Sequence, residues 1–189
     1  KISVAMGLKG RPALAEEMGV LQGIHLAEYT QGRLHLMNIS AERSLEFIRQ
    51  AKAKKLPITA SVNGYQLYLN HEQMLDFDTN YKVNPPLRSE ADRKALIHAV
   101  LDGTIDVITS AHTPLDEEVK KLEFDLAAYG MMTLPFNFQM ILGAMSGVPA
   151  EKWIDSITIH PRKILGLEQP QIEVGQQACL TLFDPTVQH

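Results

Sequence analysis

The sequence predicts an α/β protein in which helices cover a parallel β-sheet. Short runs rich in β-branched and other apolar residues alternate with longer segments of helical periodicity, and the alternation repeats about four times. Polar turns follow most of the predicted strands. Because parallel α/β folds place functional side chains at the carboxyl ends of their strands, these turns are where we look for a site.

The individual elements follow from local signals. Ser40 is expected to cap one helix, and Ser89 with Asp92 resembles a capping box at the start of another. Helices are predicted over residues 12–30, 40–55, 72–75, 89–103, 135–145, 149–156 and 160–165. Strands are predicted over residues 33–39, 56–62, 104–110, 172–175 and 179–183, with a further extended segment at 81–84. The apolar residues of the first helix share roughly one face, made of Leu14, Met18, Leu21, His25 and Leu26.

Charge and cysteine content narrow the class of protein. Lys and Arg number 18 and Asp and Glu number 22, so the formal charge is −4, and no basic stripe is available for a nucleic acid or an anionic membrane. Cys179 is the single cysteine, which excludes an internal disulfide and favours the reducing cytoplasm. No apolar run reaches the roughly 20 residues of a membrane span. We therefore expect a cytoplasmic globular protein.

Two stretches carry the strongest resemblance to a known family. Residues 78–88 read DTNYKVNPPLR, and residues 104–115 read TIDVITSAHTPL, a short strand that runs into a polar turn. Together they resemble the dihydroorotases of the amidohydrolase superfamily, and weaker matches elsewhere follow in the family's order. In that family the second stretch normally ends in Asp-His-Ala-Pro-His.

The resemblance implies the second half of a (β/α)8 TIM-like barrel of the metallo-dependent hydrolase type. Residues 1–165 match the latter half of the barrel, and residues 166–189 match the start of a small β appendage at the carboxyl terminus. The chain opens on Lys1, and the family's first metal-binding motifs would precede it, so we expect a longer protein. The family reversibly closes N-carbamoyl-aspartate to dihydroorotate with the help of zinc.

The family's metal and catalytic positions are changed in this chain. The resemblance places two metal-binding histidines at Asn38 and Gln66, and the aspartate that is both ligand and base at Ala111. Neutral amides are poor zinc ligands and alanine offers no acceptor, so no metal ligand and no catalytic residue are expected here.

The family's substrate positions are partly kept. Asn84 matches the asparagine that contacts the dihydroorotate ring. Leu115 replaces a carboxylate-binding histidine, and a leucine cannot pair with a carboxylate. Ala128 and Gly130 match two positions of the family's pocket loop. These four positions form a vestigial substrate site.

The favoured hypothesis is a non-catalytic, structural dihydroorotase homologue of pyrimidine biosynthesis, a pseudoenzyme with no cofactor. By family analogy its partner would be aspartate transcarbamoylase, and a homo-oligomer is expected. The alternative is an active metal-dependent dihydroorotase or other cyclic-amide hydrolase whose site is completed by the upstream half. In that case His112 or Asp116 would serve as the base, although a lone histidine is more often a hydrogen-bonded turn residue.

Overall fold

A parallel sheet forms the centre of the molecule, as the sequence predicts. The computed structural model describes residues 2–184. The strands are β1 (Leu34–Leu36), β2 (Ile58–Asn63) and β3 (Val107–Thr109). They pair in the order β1-β2-β3, with His35 opposite Thr59 and Asn63 opposite Thr109. Each crossover contains a helix, so the carboxyl ends of all three strands meet at one edge of the sheet.

Helices and short 3₁₀ turns make up most of the rest. The helices are α1 (Ile2–Ala5), α2 (Ala13–Thr30), α3 (Glu42–Ala53), α4 (Gly64–Tyr68), α5 (Glu90–Leu101), α6 (Glu117–Lys120), α7 (Asn137–Ala144) and α8 (Ile159–Leu165). The 3₁₀ turns are His71–Met74, Thr79–Tyr81, Leu134–Phe136, Ala150–Lys152 and Ile154–Ser156. Of these helices, α1 and α4 were not predicted from the sequence. No helix within residues 2–184 has the length and hydropathy needed to cross a bilayer.

The capping box predicted at α5 is confirmed. The Ser89 Oγ accepts a hydrogen bond from the Asp92 backbone N–H at 3.2 Å, and the Asp92 carboxylate accepts one from the Ser89 N–H at 3.2 Å. At the other end, Gly103 has φ +78, a left-handed conformation that glycine adopts without a steric cost. Both ends of this helix are therefore fixed by local sequence.

The predicted cap at α3 is wrong. Ala41 occupies the capping position, and a carboxylate from another helix takes over the role. The Glu16 Oε1 atom, on α2, accepts hydrogen bonds from the backbone N–H groups of Ser40 and Ala41, each at 3.0 Å. A negative charge at the start of α3 also complements the helix dipole. The cap is a tertiary contact and has no local sequence signal.

The two faces of the sheet differ in chemistry. Ile58, Ala60 and Val62 of β2 are buried in the apolar core against the helices. The alternate residues of β2 are polar, and one of them, Thr59, has its Oγ1 2.7 Å from the Nδ1 of His35 on β1. Burial lowers the pKa of His35, so the neutral ring is favoured. His35 is therefore a hydrogen-bonded residue of the sheet.

The apolar face marked by the sequence on α2 points away from the core. Leu14, Met18 and Leu26 are exposed by 57%, 63% and 56%. The buried side chains of α2 are Glu17, Val20, Ile24 and Ala27. Apolar residues occur on both sides of this helix, so its periodicity does not reveal which side packs on the sheet.

Several predicted strands are shorter than expected or absent. In the predicted extended segment 81–84, Tyr81 ends the 3₁₀ turn Thr79–Tyr81, Lys82 has an extended backbone, and no strand forms. Residues 172–175 and 179–183 have no regular secondary structure, and within residues 2–184 the strands number three and not about four. A strand needs a partner for its backbone N–H and C=O groups, and the tail is exposed, with Ile172 at 88%. The last part of the predicted appendage, residues 185–189, lies outside the described residues.

Candidate functional site

The positions singled out by the sequence lie on the turns at the carboxyl edge of the sheet. Asn38 follows β1, Gln66 lies on α4 directly after β2, and Ala111 follows β3. The parallel topology therefore brings together one end of each strand, as predicted for a site in an α/β fold. The residues at these positions can then be judged by what each side chain contacts.

Asn38 occupies a left-handed turn. Its φ is +59, a conformation that asparagine tolerates better than most residues. Its backbone N–H lies 3.4 Å from the Ser61 Oγ on β2, so the turn remains attached to the sheet. The backbone geometry alone favours asparagine at this position.

Gln66 is almost fully buried, with 1% of its surface exposed. Its Nε2 donates hydrogen bonds to the backbone carbonyls of Pro85 and Pro86, at 3.1 and 3.3 Å. These two prolines belong to the turn that carries Asn84. The side chain at a position where the resemblance places a metal ligand thus stabilises the turn that carries Asn84.

The turn after β3 contains Ala111 at φ +45 and then His112. The His112 Nδ1 accepts hydrogen bonds from the backbone N–H groups of Thr133 and Leu134, both at 3.0 Å. An accepting Nδ1 carries no proton, so the neutral ring has its proton on Nε2. His112 therefore acts as a turn-holding residue, and its Nδ1 is not available as a base. Asp116 is exposed beyond the turn.

The residues at the three positions where the resemblance places metal ligands do not fit a zinc ion. Zinc prefers thiolates, neutral imidazoles and carboxylates. No group of three or more His, Cys, Asp or Glu side chains in residues 2–184 is placed to hold a metal. The Gln66 amide is directed to two carbonyls, and Ala111 has no donor atom. These positions supply no ligand of the kind the family uses.

Asn84 has a partner that the sequence did not indicate. Its Oδ1 accepts a hydrogen bond from the Arg11 Nη1 at 2.7 Å. The guanidinium carbon of Arg11 lies 4.7 Å from the ring centroid of Tyr129, and the Arg88 Nη1 donates to the Arg11 carbonyl at 2.7 Å. Arg11 comes from the segment before α2, which is 73 residues from Asn84, so no local pattern could reveal the contact.

The loop at residues 127–130 packs against the turn after β3. A Cβ atom on Gly130 would lie 2.7 Å from the Thr113 carbonyl and 2.8 Å from the Leu115 Cδ1, so the approach requires glycine. The Gly130 N–H donates to the Lys82 carbonyl at 3.0 Å. Leu115 and Gly130 are therefore in direct contact, and the loop is linked to Asn84 through Arg11.

Two lysines stabilise this loop by donating hydrogen bonds to its backbone carbonyls and to that of Asp125. The Lys82 Nζ donates to the Asp125 carbonyl at 2.9 Å, although Lys82 is only 7% exposed. The Lys120 Nζ donates to the carbonyls of Ala128 and Gly130, at 3.1 and 3.0 Å. Sequence analysis missed both lysines. A lysine between two apolar residues, as in Tyr81-Lys82-Val83, was the only available signal.

Comparison with known proteins agrees with this architecture. The amidohydrolase family matches residues 12–189. The chain is 40% identical over 187 residues to the dihydroorotase of Pelotomaculum thermopropionicum, covering 97% of this chain and 44% of that protein. The chain thus spans less than half the length of this relative.

Solved structures show the same fold. The dihydropyrimidinase of Brevibacillus agri superposes with a TM-score of 0.80 at 20% identity, covering 93% of this chain and 42% of that protein. The inactive dihydroorotase-like domain of the Chaetomium thermophilum CAD-like multifunctional protein superposes with a TM-score of 0.59 at 20% identity, covering 78% of this chain and 41% of that one.

These similarities confirm the predicted resemblance and the predicted half-barrel fold. The match to the family extends over all but the first 11 residues. The chain belongs to the amidohydrolase family and is a homologue of the dihydroorotases.

Proposed function

We propose that this chain is part of a dihydroorotase-related protein of pyrimidine biosynthesis that has lost catalysis and serves as a structural component. The single observation that carries the proposal is the use of Gln66. At a family metal position, its buried amide is bonded to the carbonyls of Pro85 and Pro86. A side chain held in this way serves the fold.

The chemistry of hydrolysis also supports the proposed loss of catalysis. A metal-dependent hydrolase needs ligands that lower the pKa of bound water and a base that moves its proton. Ala111 can do neither, and the His112 Nδ1 is occupied by two backbone N–H groups. Asp116 is exposed and lies outside the turn that Ala111 occupies. We therefore propose that neither catalysis nor zinc binding involves these residues.

Loss of activity has a parallel among proteins of this fold. The Chaetomium thermophilum domain is described as inactive and dihydroorotase-like, within a CAD-like multifunctional protein. By analogy we propose a cytoplasmic scaffold that assembles with aspartate transcarbamoylase and with further copies of itself. Within this protein, residues 1–165 would form the latter half of the barrel and residues 166–189 the return to a small β domain.

The test uses the full-length protein that contains this chain, purified from zinc-supplemented medium. We expect elemental mass spectrometry to find no stoichiometric metal and a dihydroorotate assay to find no turnover. Light scattering after mixing with aspartate transcarbamoylase from the same organism should detect a complex. Metal-dependent turnover would overturn the non-catalytic proposal, and a failure to form the complex would overturn the scaffold proposal.

A second candidate is an active cyclic-amide hydrolase whose metal site lies entirely in the upstream half. The observation that favours it is the intact turn around Asn84, which Gln66, Arg11 and Arg88 hold in place. If this candidate is right, alanine substitutions in an upstream His-x-His motif should abolish both bound metal and turnover. Ala111→Asp should then change the rate little.

A further inference from the structure

Positive charge is concentrated around one exposed aromatic ring. The guanidinium carbon of Arg11 lies 4.7 Å from the Tyr129 ring centroid, and the Lys82 Nζ lies 4.8 Å from the same centroid. Lys120 reaches the carbonyls on either side of Tyr129, those of Ala128 and Gly130. Three cations thus surround a four-residue loop in a chain whose overall charge is −4.

These cations are not neutralised by carboxylates. Among residues 2–184, no ion pair within 4.0 Å involves Arg11, Lys82 or Lys120. The nearby Arg88 differs, since its guanidinium lies 3.7 Å from Glu16. Burial and the charge of Lys82 lower the pKa of Lys120, against the opposing pull of Asp78. The local field therefore favours an anion.

The same place offers directed hydrogen-bond donors. A guanidinium has five N–H donors, and one of those on Arg11 is bonded to the Asn84 Oδ1 at 2.7 Å. That bond fixes the Arg11 fork and leaves the Asn84 amide group with its own N–H donors. Both residues are exposed, and Tyr129 is 44% exposed, so a solute can reach them. A fixed guanidinium fork matches the two oxygens of a carboxylate.

We propose that Arg11, Asn84 and Tyr129 form a binding site for a small carboxylate, with Arg11 as the carboxylate-binding residue. The proposal rests on the proposed function only in assuming a protein that binds without turning over. Lys82 and Lys120 contribute long-range charge, because carbonyls already occupy their donors. Arg11 would supply the cation that Leu115, at the family's carboxylate position, cannot provide.

The test is isothermal calorimetry on the full-length protein with three probes. Dihydroorotate carries a carboxylate on a cyclic amide, dihydrouracil is the uncharged counterpart, and inorganic phosphate tests for a general anion site. We expect dihydroorotate to bind at least about tenfold more tightly than either of the other probes. Dihydrouracil lacks the carboxylate that pairs with the guanidinium, and phosphate, which can pair with it, lacks the ring that would contact Asn84 and Tyr129.

A matched pair of arginine substitutions measures the contribution of Arg11 to binding. Arg11→Gln should weaken dihydroorotate binding by about tenfold, because the charge-assisted pair is replaced by a neutral contact. Arg43→Gln is the control: Arg43 is also exposed, at 72% of its side chain, and lies 3.7 Å from Glu17 on α2. It should leave the affinity unchanged.

The outcomes separate this proposal from the proposed function. Equal affinity for dihydrouracil, equal affinity for phosphate, no binding of dihydroorotate, or unchanged binding by Arg11→Gln would each overturn the assignment of Arg11. Turnover of dihydroorotate would contradict the non-catalytic function alone. In that case Arg11→Gln should raise KM about tenfold with little change in kcat, and an unchanged KM would overturn the assignment.

Discussion

The turns after β2 and β3 end neighbouring strands of the sheet, yet the residues at which the sequence resemblance places metal ligands are held there in different ways. After β2, Gln66 retains a polar side chain that is 1% exposed and donates to two carbonyls. After β3, Ala111 has no polar side chain, and its neighbour His112 makes the contacts that hold the turn.

The difference shows two ways in which a turn at the edge of a sheet is stabilised. At the end of β2 the Gln66 side chain itself bonds to the neighbouring turn. At the end of β3 the Ala111 side chain offers no hydrogen bond, and its backbone is held in the left-handed region at φ +45. We therefore expect substitutions after β2 to affect stability more than substitutions at Ala111.

The largest effect should come from Gln66→Leu. The substitution leaves the carbonyls of Pro85 and Pro86 without their donor, so we expect a loss of about 2 kcal/mol in the free energy of unfolding. Urea denaturation of the full-length protein measures it. Gln139→Leu, at an exposed position of α7, is the matched control and should change stability by less than about 0.5 kcal/mol. Equal effects of the two substitutions would mean that the Gln66 contacts contribute nothing.

An intermediate effect, visible only at alkaline pH, should come from Tyr65. Burial raises the pKa of Tyr65 to about 12 from its ordinary value of 10.0, although a hydrogen bond from Asn63 opposes the shift. The folded state then holds a proton that the unfolded state releases. The stability that Tyr65 contributes is fully present below pH 10 and is lost as the pH rises towards about 12.

Tyr65→Phe should therefore flatten the decline in unfolding free energy across this pH window. Tyr68→Phe is the control, because Tyr68 is 50% exposed on the same helix and should leave the decline in place. Urea denaturation at a series of alkaline pH values measures both variants. A decline of the same slope in Tyr65→Phe would show that this hydroxyl is not the group that titrates.

The smallest effect should come from Ala111→Gly. Glycine relieves the left-handed strain of alanine but gains entropy in the unfolded chain, so we expect a net stabilisation of about 0.5 kcal/mol. The control is Ala15→Gly, exposed on α2, which should destabilise by about 1 kcal/mol. Thermal unfolding compares the two. Destabilisation of similar size in both variants would mean that the turn at Ala111 carries no strain.

Local patterns predicted the elements whose causes are local. The capping box of Ser89 with Asp92 and the left-handed Gly103 delimit α5 as expected. The polar turns after the strands, and the motif residues within them, were also found from the sequence. The predicted Ser40 cap failed because Glu16, from a different helix, accepts the N–H bonds at that position.

The partners of the site residues could not be read from the sequence. Arg11 and Asn84 are 73 residues apart, and Gln66 is 19 residues from Pro85. Nothing in local periodicity or composition ties these positions together. The burial of Lys82 likewise depends on the loop that folds over it, whose Asp125 carbonyl accepts a hydrogen bond from the Lys82 Nζ.

The sequence by itself determined the parallel α/β class, the family, and the chemical nature of the side chains at each family position. Those properties depend on residue type and order along the chain. Only the tertiary structure decided that Gln66 holds the Asn84 turn, that Arg11 reaches Asn84, and which side of α2 packs on the sheet. Those contacts depend on how distant segments approach one another, and burial and hydrogen bonding are fixed only when they do.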